Sequence, residues 1–140
     1  MNILGISKHK LEIIDNVNGS IMHALKKSDL GFRDFGEIYF SNVNYKTIKG
    51  WKRHLRMTMN LVVPVGNVRF VFYDEAKKYY EEYKIGEKNY CRLTVNPLIW
   101  FGFQGIGEGK NIVMNIANIE HDPNEVERKD LLDFKYYWGS

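Results

Sequence analysis

Lys46, Lys49, Lys52, Arg53, Arg56 and Arg69, with His54 among them, stand in a stretch that holds no acidic residue between Glu37 and Asp74. Cations without local carboxylates attract an anion such as a phosphate, a diphosphate or a nucleic-acid backbone. The competing expectation is that acids supplied by other parts of the fold pair with them. Other constellations are missing. No Gly-x-Ser-x-Gly elbow, Walker loop or His-Glu-x-x-His occurs. Gly102, Gly105, Gly107 and Gly109 suggest a phosphate loop, but no Lys-Ser/Thr pair follows, and the segment reads as a hairpin turn. His9, His23, His54 and His121 are scattered without a second ligand at metal spacing, so no metal is expected. The single cysteine, Cys91, excludes an intrachain disulfide and a Cys-rich zinc module.

The frame that must hold these residues is one domain of 140 residues, 44% hydrophobic and 14% aromatic, which is enough apolar side chain for one core without staples. Runs at 37–42, 55–65, 67–73, 90–95 and 111–119 are rich in β-branched and aromatic residues and are separated by turn signals, which predicts a sandwich or small barrel. A helix is predicted within 74–84, where Asp74 could cap it, and a second short one within 124–132. Alternation along 51–63 places Trp51, Arg53, Leu55, Met57, Met59, Leu61 and Val63 on one face. It places Lys52, His54, Arg56, Thr58 and Asn60 on the other. A bulge at Gly50 would change that register and turn Lys52 or His54 outward. Residues 1–25 carry no continuous apolar stretch and nothing approaches the length of a membrane span, so a soluble, cytoplasmic protein is expected, with no membrane partner.

The order Asn18-Gly19-Ser20, Ile38-Tyr39-Phe40-Ser41, Ile48-Lys49-Gly50-Trp51-Lys52-Arg53-His54, then the run 60–65 before Gly66, and Asp74, resembles the cupin-type nucleotide-sugar 3,5-epimerases and their short 3,4-ketoisomerase relatives. In the tail, Leu98-Ile99-Trp100-Phe101-Gly102-Phe103, Asp122-Pro123, Glu125 and Trp138 resemble the same family. The resemblance implies an all-β double-stranded β-helix jelly roll, a cupin with one or two short helices. It also implies a homodimer, no cofactor, and a nucleotide-sugar substrate in surface-polysaccharide precursor synthesis. Lys52 stands where the epimerases keep their catalytic histidine, and His54 matches the second histidine of the ketoisomerases. Tyr39 stands at a site tyrosine of those enzymes. The family's strand lysine falls at Met59, its histidine before Gly-Phe at Phe101, and its tyrosine acid near Asn115. The carboxylate partner of the base matches Asp130 or Asp133.

The chemistry the resemblance implies is proton abstraction beside a keto group, which needs a base, an acid and a donor for the enolate oxygen. His54 titrates near neutral pH unaided, and Lys52 becomes a base if Lys49, Arg53, Arg56 and partial burial lower its pKa. Tyr39 is then the opposing donor. Lys49, Arg56, Asn60, Arg69, Trp100 and Asn115 are the candidate substrate contacts. Trp51, Trp100 and Phe101 offer rings to a base or sugar, although aromatics at this density more often fill a core or a dimer interface, and the apolar face of Leu55, Met57, Met59 and Leu61 favours that interface. Two other functions fit the residues. One is a cupin that binds a nucleotide sugar without turning it over. The other, less favoured, is a basic barrel that binds single-stranded nucleic acid through the 46–56 patch.

Overall fold

Alternating inward and outward side chains along short strands give a period of two, and such strands bury their apolar faces by stacking two sheets. In the computed structural model, which describes residues 5–139, the strands are β1 (Ile6–Lys10), β2 (Ile13–Ile14), β3 (Ile21–Met22), β4 (Glu37–Asn42), β5 (Ile48–His54) and β6 (Met59–Val65). They continue with β7 (Asn67–Asp74), β8 (Tyr79–Gly86), β9 (Cys91–Val95), β10 (Trp100–Gly105), β11 (Ile112–Ala117) and β12 (Val126–Arg128). One five-stranded sheet has the order β1-β9-β6-β11-β4, the other β12-β5-β10-β7-β8, and β2 pairs with β3 in a small ribbon. The pairings within both sheets are antiparallel. This is the all-β cupin jelly roll.

Between the sheets lies a core that includes Met57, Met59, Leu61, Val63, Phe70, Phe72, Phe101 and Phe103. Met57, Met59 and Leu61 therefore fill the sandwich and are not a dimer face. Exposed apolar side chains on the sheet surface include Ile38 and Phe40, on the outer face of β4. A second cluster lies outside the other sheet. There Trp51, Val71, Tyr73 and Trp100 are covered by Phe134 and Trp138 of the C-terminal tail.

Three local expectations change. The 74–84 segment is a turn followed by β8, not a helix. Its charges sit in the turn, where Asp74 Oδ1 accepts from the Lys77 N–H at 3.1 Å and Lys78 takes a φ of 53°, while Tyr83 and Ile85 alternate inward. The 124–132 segment holds two 3₁₀ turns, Pro123–Glu125 and Leu131–Asp133, separated by β12. The glycine-rich segment is no hairpin: Gly102 and Gly105 belong to β10, and the turn after them carries the chain across to β11 in the opposite sheet.

The 51–63 stretch is likewise two strands in two sheets, broken at residues 55–58. Alternation does not run through such a break. Trp51 and Arg53 face outward from one sheet, and Met59 and Leu61 face inward from the other. Within β5 the register against β10 slips: Phe101 pairs with Lys52, but Phe103 pairs with Lys49. The extra residue at Gly50-Trp51 is a bulge, and it falls before Lys52, so Lys49, Lys52 and His54 all share the inward face. The backbones meet closely there. A Cβ on Gly102 would lie 3.2 Å from Gly50 Cα and 3.3 Å from the Lys49 carbonyl oxygen, so a larger residue there would require the β5 backbone to shift by a few tenths of an ångström.

Trp51, at 0% exposure, locks the tail to this strand. Its indole N–H donates to the Leu131 carbonyl at 3.1 Å, and its ring packs at 5.6 Å from Phe134 and 5.5 Å from Trp138. Trp51→Ala is expected to cost about 3–5 kcal/mol in denaturant unfolding and to strip amide-exchange protection first from the 129–138 tail. A loss below about 1 kcal/mol, the range of a surface substitution, would contradict this role.

Candidate active site

Glu125 is the residue around which the inward face of β5 is organised. It is 3% exposed and ends the turn whose Asp122 side chain accepts from the Asn124 N–H. Its Oε1 lies 2.5 Å from His54 Nδ1. Its Oε2 accepts the backbone N–H groups of Arg56 at 3.1 Å and Met57 at 3.2 Å, and its carbonyl accepts from Leu55 at 2.7 Å. Burial alone would raise the carboxyl pKa, but the hydrogen bonds from His54, Arg56 and Met57 outweigh it and hold the group below its usual range. Burial is the largest influence on His54 and lowers its pKa despite Glu125. The pair is therefore a carboxylate and a neutral imidazole with Nδ1 protonated and Nε2 free. His54 Nε2 is buried without a hydrogen-bond partner, and its ring stacks on Phe101 at 5.9 Å.

Sequence reasoning assigned this carboxylate to Asp130 or Asp133, and the structure places neither on His54. They turn on each other: the Asp130 N–H donates to Asp133 Oδ2 at 2.8 Å. They were matched through the family resemblance, which implies an aspartate in the tail. Glu125 was in the same tail, 71 residues from His54, and only the pairing of β12 with β5 brings it there.

Lys52 stands between two spaces. An inner cavity of about 40 Å³ between the sheets is lined by Tyr39, Ser41, Lys52, Phe101, Phe103 and Asn115, among others. A mouth of about 670 Å³ is lined by Lys49, Lys52, Arg128, Lys129, Asp130 and Asp133, among others. His54 lines neither. Burial first, then the charges of Arg128 and Lys49, pull the Lys52 ammonium below the ordinary lysine range against the opposing pull of Glu125. Among the described residues Lys52 has no ion pair or hydrogen bond for its amine. Tyr39, opposite Asn115 in the β4–β11 ladder, accepts from Asn115 Nδ2 at 3.0 Å through its hydroxyl, so its own proton is free to point elsewhere.

The remaining candidates divide. Lys49 sits at the rim and ties β5 to β4 through Ser41 Oγ at 3.2 Å and the Asn42 carbonyl at 2.6 Å. Four candidates lie away from the cavity. Arg56 is on the surface with Asp122 at 3.0 Å. Asn60 belongs to the outer face, where Arg92 and Thr94 donate to its Oδ1, because the sheet switch at 55–58 reverses its direction relative to Lys52. Arg69 lies outside the other sheet near Glu82, 3.6 Å away, and Trp100 lies there too, under the Arg53 guanidinium. The three arginines of the cationic stretch are thus paired with acids from other segments, since Arg53 also pairs with Glu127 at 2.5 Å, while Lys49 and Lys52 have no ion pair among the described residues. Among the described residues no group of three His, Cys, Asp or Glu side chains is arranged to hold a metal ion, and no helix is long and apolar enough to cross a membrane.

The jelly roll places Lys52 between the mouth and the inner cavity that Tyr39 also lines, with the buried His54–Glu125 pair behind Phe101, and the comparisons identify the family. No protein-family model matches the chain, and no curated protein matches it significantly by sequence. A dTDP sugar isomerase from Desulfovibrio desulfuricans superposes with a TM-score of 0.90 at 32% identity, over 96% of this chain and 90% of that one. The sugar 3,4-ketoisomerase QdtA from Thermoanaerobacterium thermosaccharolyticum, in complex with TDP, gives 0.78 at 18% identity, over 91% and 90%. The dTDP-4-dehydrorhamnose 3,5-epimerase from Sulfolobus tokodaii gives 0.83 at 17% identity, over 97% and 84%. The chain belongs to the cupin-type nucleotide-sugar epimerase and isomerase family.

The His54–Glu125 pair sets a pH dependence. A histidine held neutral by the fold binds fewer protons than the unfolded chain below about 6.5. Its contribution to stability is complete above that pH and is lost as pH falls toward the lowered native value. Glu125, with a depressed pKa, adds a second loss below about 4.5. Acidification from pH 7 to 5 is expected to lower the unfolding free energy, and His54→Asn to make that fall shallower, with His9, also lowered by burial, supplying part of the remainder. An unchanged pH profile in His54→Asn would contradict a neutral buried imidazole.

Proposed function

We propose that this protein is a nucleotide-sugar epimerase or isomerase that acts on a 4-keto-6-deoxy sugar nucleotide by moving a proton next to the keto group, in surface-polysaccharide precursor synthesis. The observation that carries the reading is Lys52. Its amine is unpaired, it faces Tyr39 around the inner cavity, and it opens onto a mouth of about 670 Å³, within the range of small-molecule sites. Family membership supports the substrate class, since a variant of QdtA has been seen with TDP-4-keto-6-deoxyglucose bound.

In this reading Arg128, Lys129 and Lys49 at the mouth meet the diphosphate, and the sugar reaches Lys52 with its keto group foremost. The inner cavity is too small for a sugar ring, so the reacting carbons sit at its entrance between Lys52 and Tyr39. Phe101 and Phe103 keep the entrance apolar, which strengthens every charge interaction there. Glu125 holds His54 in place behind Phe101, where the pair fixes the strand that presents Lys52. Homodimer assembly, which the family resemblance implies, would cover the exposed Ile38 and Phe40 of β4.

The test is solvent deuterium incorporation into dTDP-4-keto-6-deoxyglucose, followed by NMR. Wild-type protein is expected to place deuterium on a carbon adjacent to the keto group, and Lys52→Ala and Tyr39→Phe to slow this by about 10²–10⁴-fold. Tight binding of the nucleotide sugar with no exchange would leave a binding protein and contradict the enzyme.

A further inference from the structure

The proposed reaction needs both a neutral base and a positive charge beside the developing enolate, and the residues around the inner cavity supply one amine for the two tasks. A lysine cannot be deprotonated to take a proton and protonated to hold an oxyanion in the same step. We propose that Lys52 resolves this by covalent catalysis, in which its Nζ forms an imine with the keto carbon of the nucleotide sugar and Tyr39 carries the protons. The inference rests on the reading above and deepens it.

Three features of the structure support the covalent step. The Lys52 amine has no carboxylate partner, while Lys49, its neighbour on the same face, is held by Ser41 and Asn42. The cations Arg128 and Lys49 together with burial favour the neutral, nucleophilic amine, the usual means of activating a Schiff-base lysine. Finally, the inner cavity of about 40 Å³ has room for the one water molecule that imine formation releases.

The steps balance with these groups and water alone. The Nζ lone pair bonds to the carbonyl carbon, the carbonyl π pair moves to oxygen, and the proton shed by nitrogen neutralises that oxygen to give a carbinolamine. Tyr39, whose hydroxyl accepts from Asn115 and keeps its own proton available, protonates the leaving hydroxyl. Water departs with the C–O pair as the nitrogen lone pair forms the C=N bond. The Tyr39 phenolate takes the proton from the neighbouring carbon, the C–H pair becomes a C=C bond, and the C=N pair returns to nitrogen as an enamine. A water at the mouth reprotonates the carbon from the open side. The hydroxide left behind adds to the iminium, and collapse releases the ketone and the free amine.

This route limits the outcome. If the proton comes from a carbon that bears a hydroxyl and the carbonyl then migrates there, the nitrogen is left as a stable amine and the sugar is not released. The covalent mechanism therefore serves inversion next to the keto group and not transposition of the carbonyl.

Wild-type protein would be treated with dTDP-4-keto-6-deoxyglucose and sodium borohydride, then digested and analysed by mass spectrometry, with deuterium exchange measured in parallel. The expected result is a reduced sugar-nucleotide adduct on the peptide that carries Lys52, irreversible inactivation only when substrate and borohydride are both present, and exchange without release of a 3-keto sugar. Lys52→Arg, which places a permanent cation at the same position but cannot form the imine, is expected to show neither adduct nor exchange, with thermal unfolding confirming that it folds. Exchange in wild type with no adduct, or release of a 3-keto product, would overturn the covalent step and leave the proposed function standing. Absence of both exchange and adduct would overturn both.

Discussion

A buried carboxylate holds this site together. Glu125 accepts from His54 and from two successive backbone N–H groups, those of Arg56 and Met57, while its own carbonyl accepts from Leu55. These bonds wrap residues 54–57 around one side chain at the point where the chain leaves one sheet for the other. An ionised group this deep is costly unless its lone pairs are satisfied, and here the satisfaction comes from the segment that must turn. The end of β5 is consequently fixed, and with it the direction of Lys52 two residues earlier.

The electrostatics of the mouth follow from the same placement. The chain between Asp122 and Glu127 brings three carboxylates to the β5 edge: Asp122 takes Arg56, Glu125 takes His54, and Glu127 takes Arg53. Lys49 spends its donors on Ser41 and Asn42. Among the described residues Lys52 is left without a partner and under the influence of the cations Arg128 and Lys49, a state that would destabilise a purely structural lysine. The second aromatic cluster supports this edge from behind, since Trp51 sits on the outer face of the strand whose inner face carries Lys52.

The fold was readable because its strands are short, apolar and bounded by turns, and because the family motifs run along much of the chain. Lys52 and His54 were readable as a pair by alternation within one strand. What could not be read was direction after an interruption. The bulge at Gly50-Trp51 adds Lys49 to the inner face, and the sheet switch at 55–58 sends Asn60 to the outer one, although both residues sat in simple alternation with Lys52 or against it. Trp100 and Arg69 were misplaced for a related reason, since β7 and β10 each bury both faces and burial alone does not tell the cavity side from the tail side. The family resemblance points to an aspartate, Asp130 or Asp133, and nothing in the sequence shows that the turn holding Glu125 is the one that lies under His54.

The central claim is that Lys52 is an amine at the mouth of the barrel, without an ion pair among the described residues, whose pKa is lowered by burial and neighbouring cations, and NMR titration of its side-chain resonances in the free protein tests it most directly. The groups that set the result are Arg128, Lys49 and Glu125. The account predicts that Lys52 titrates below the ordinary lysine range and that Arg128→Met moves it back upward. Titration at the unperturbed lysine value of about 10.4, unmoved by Arg128→Met, would contradict it.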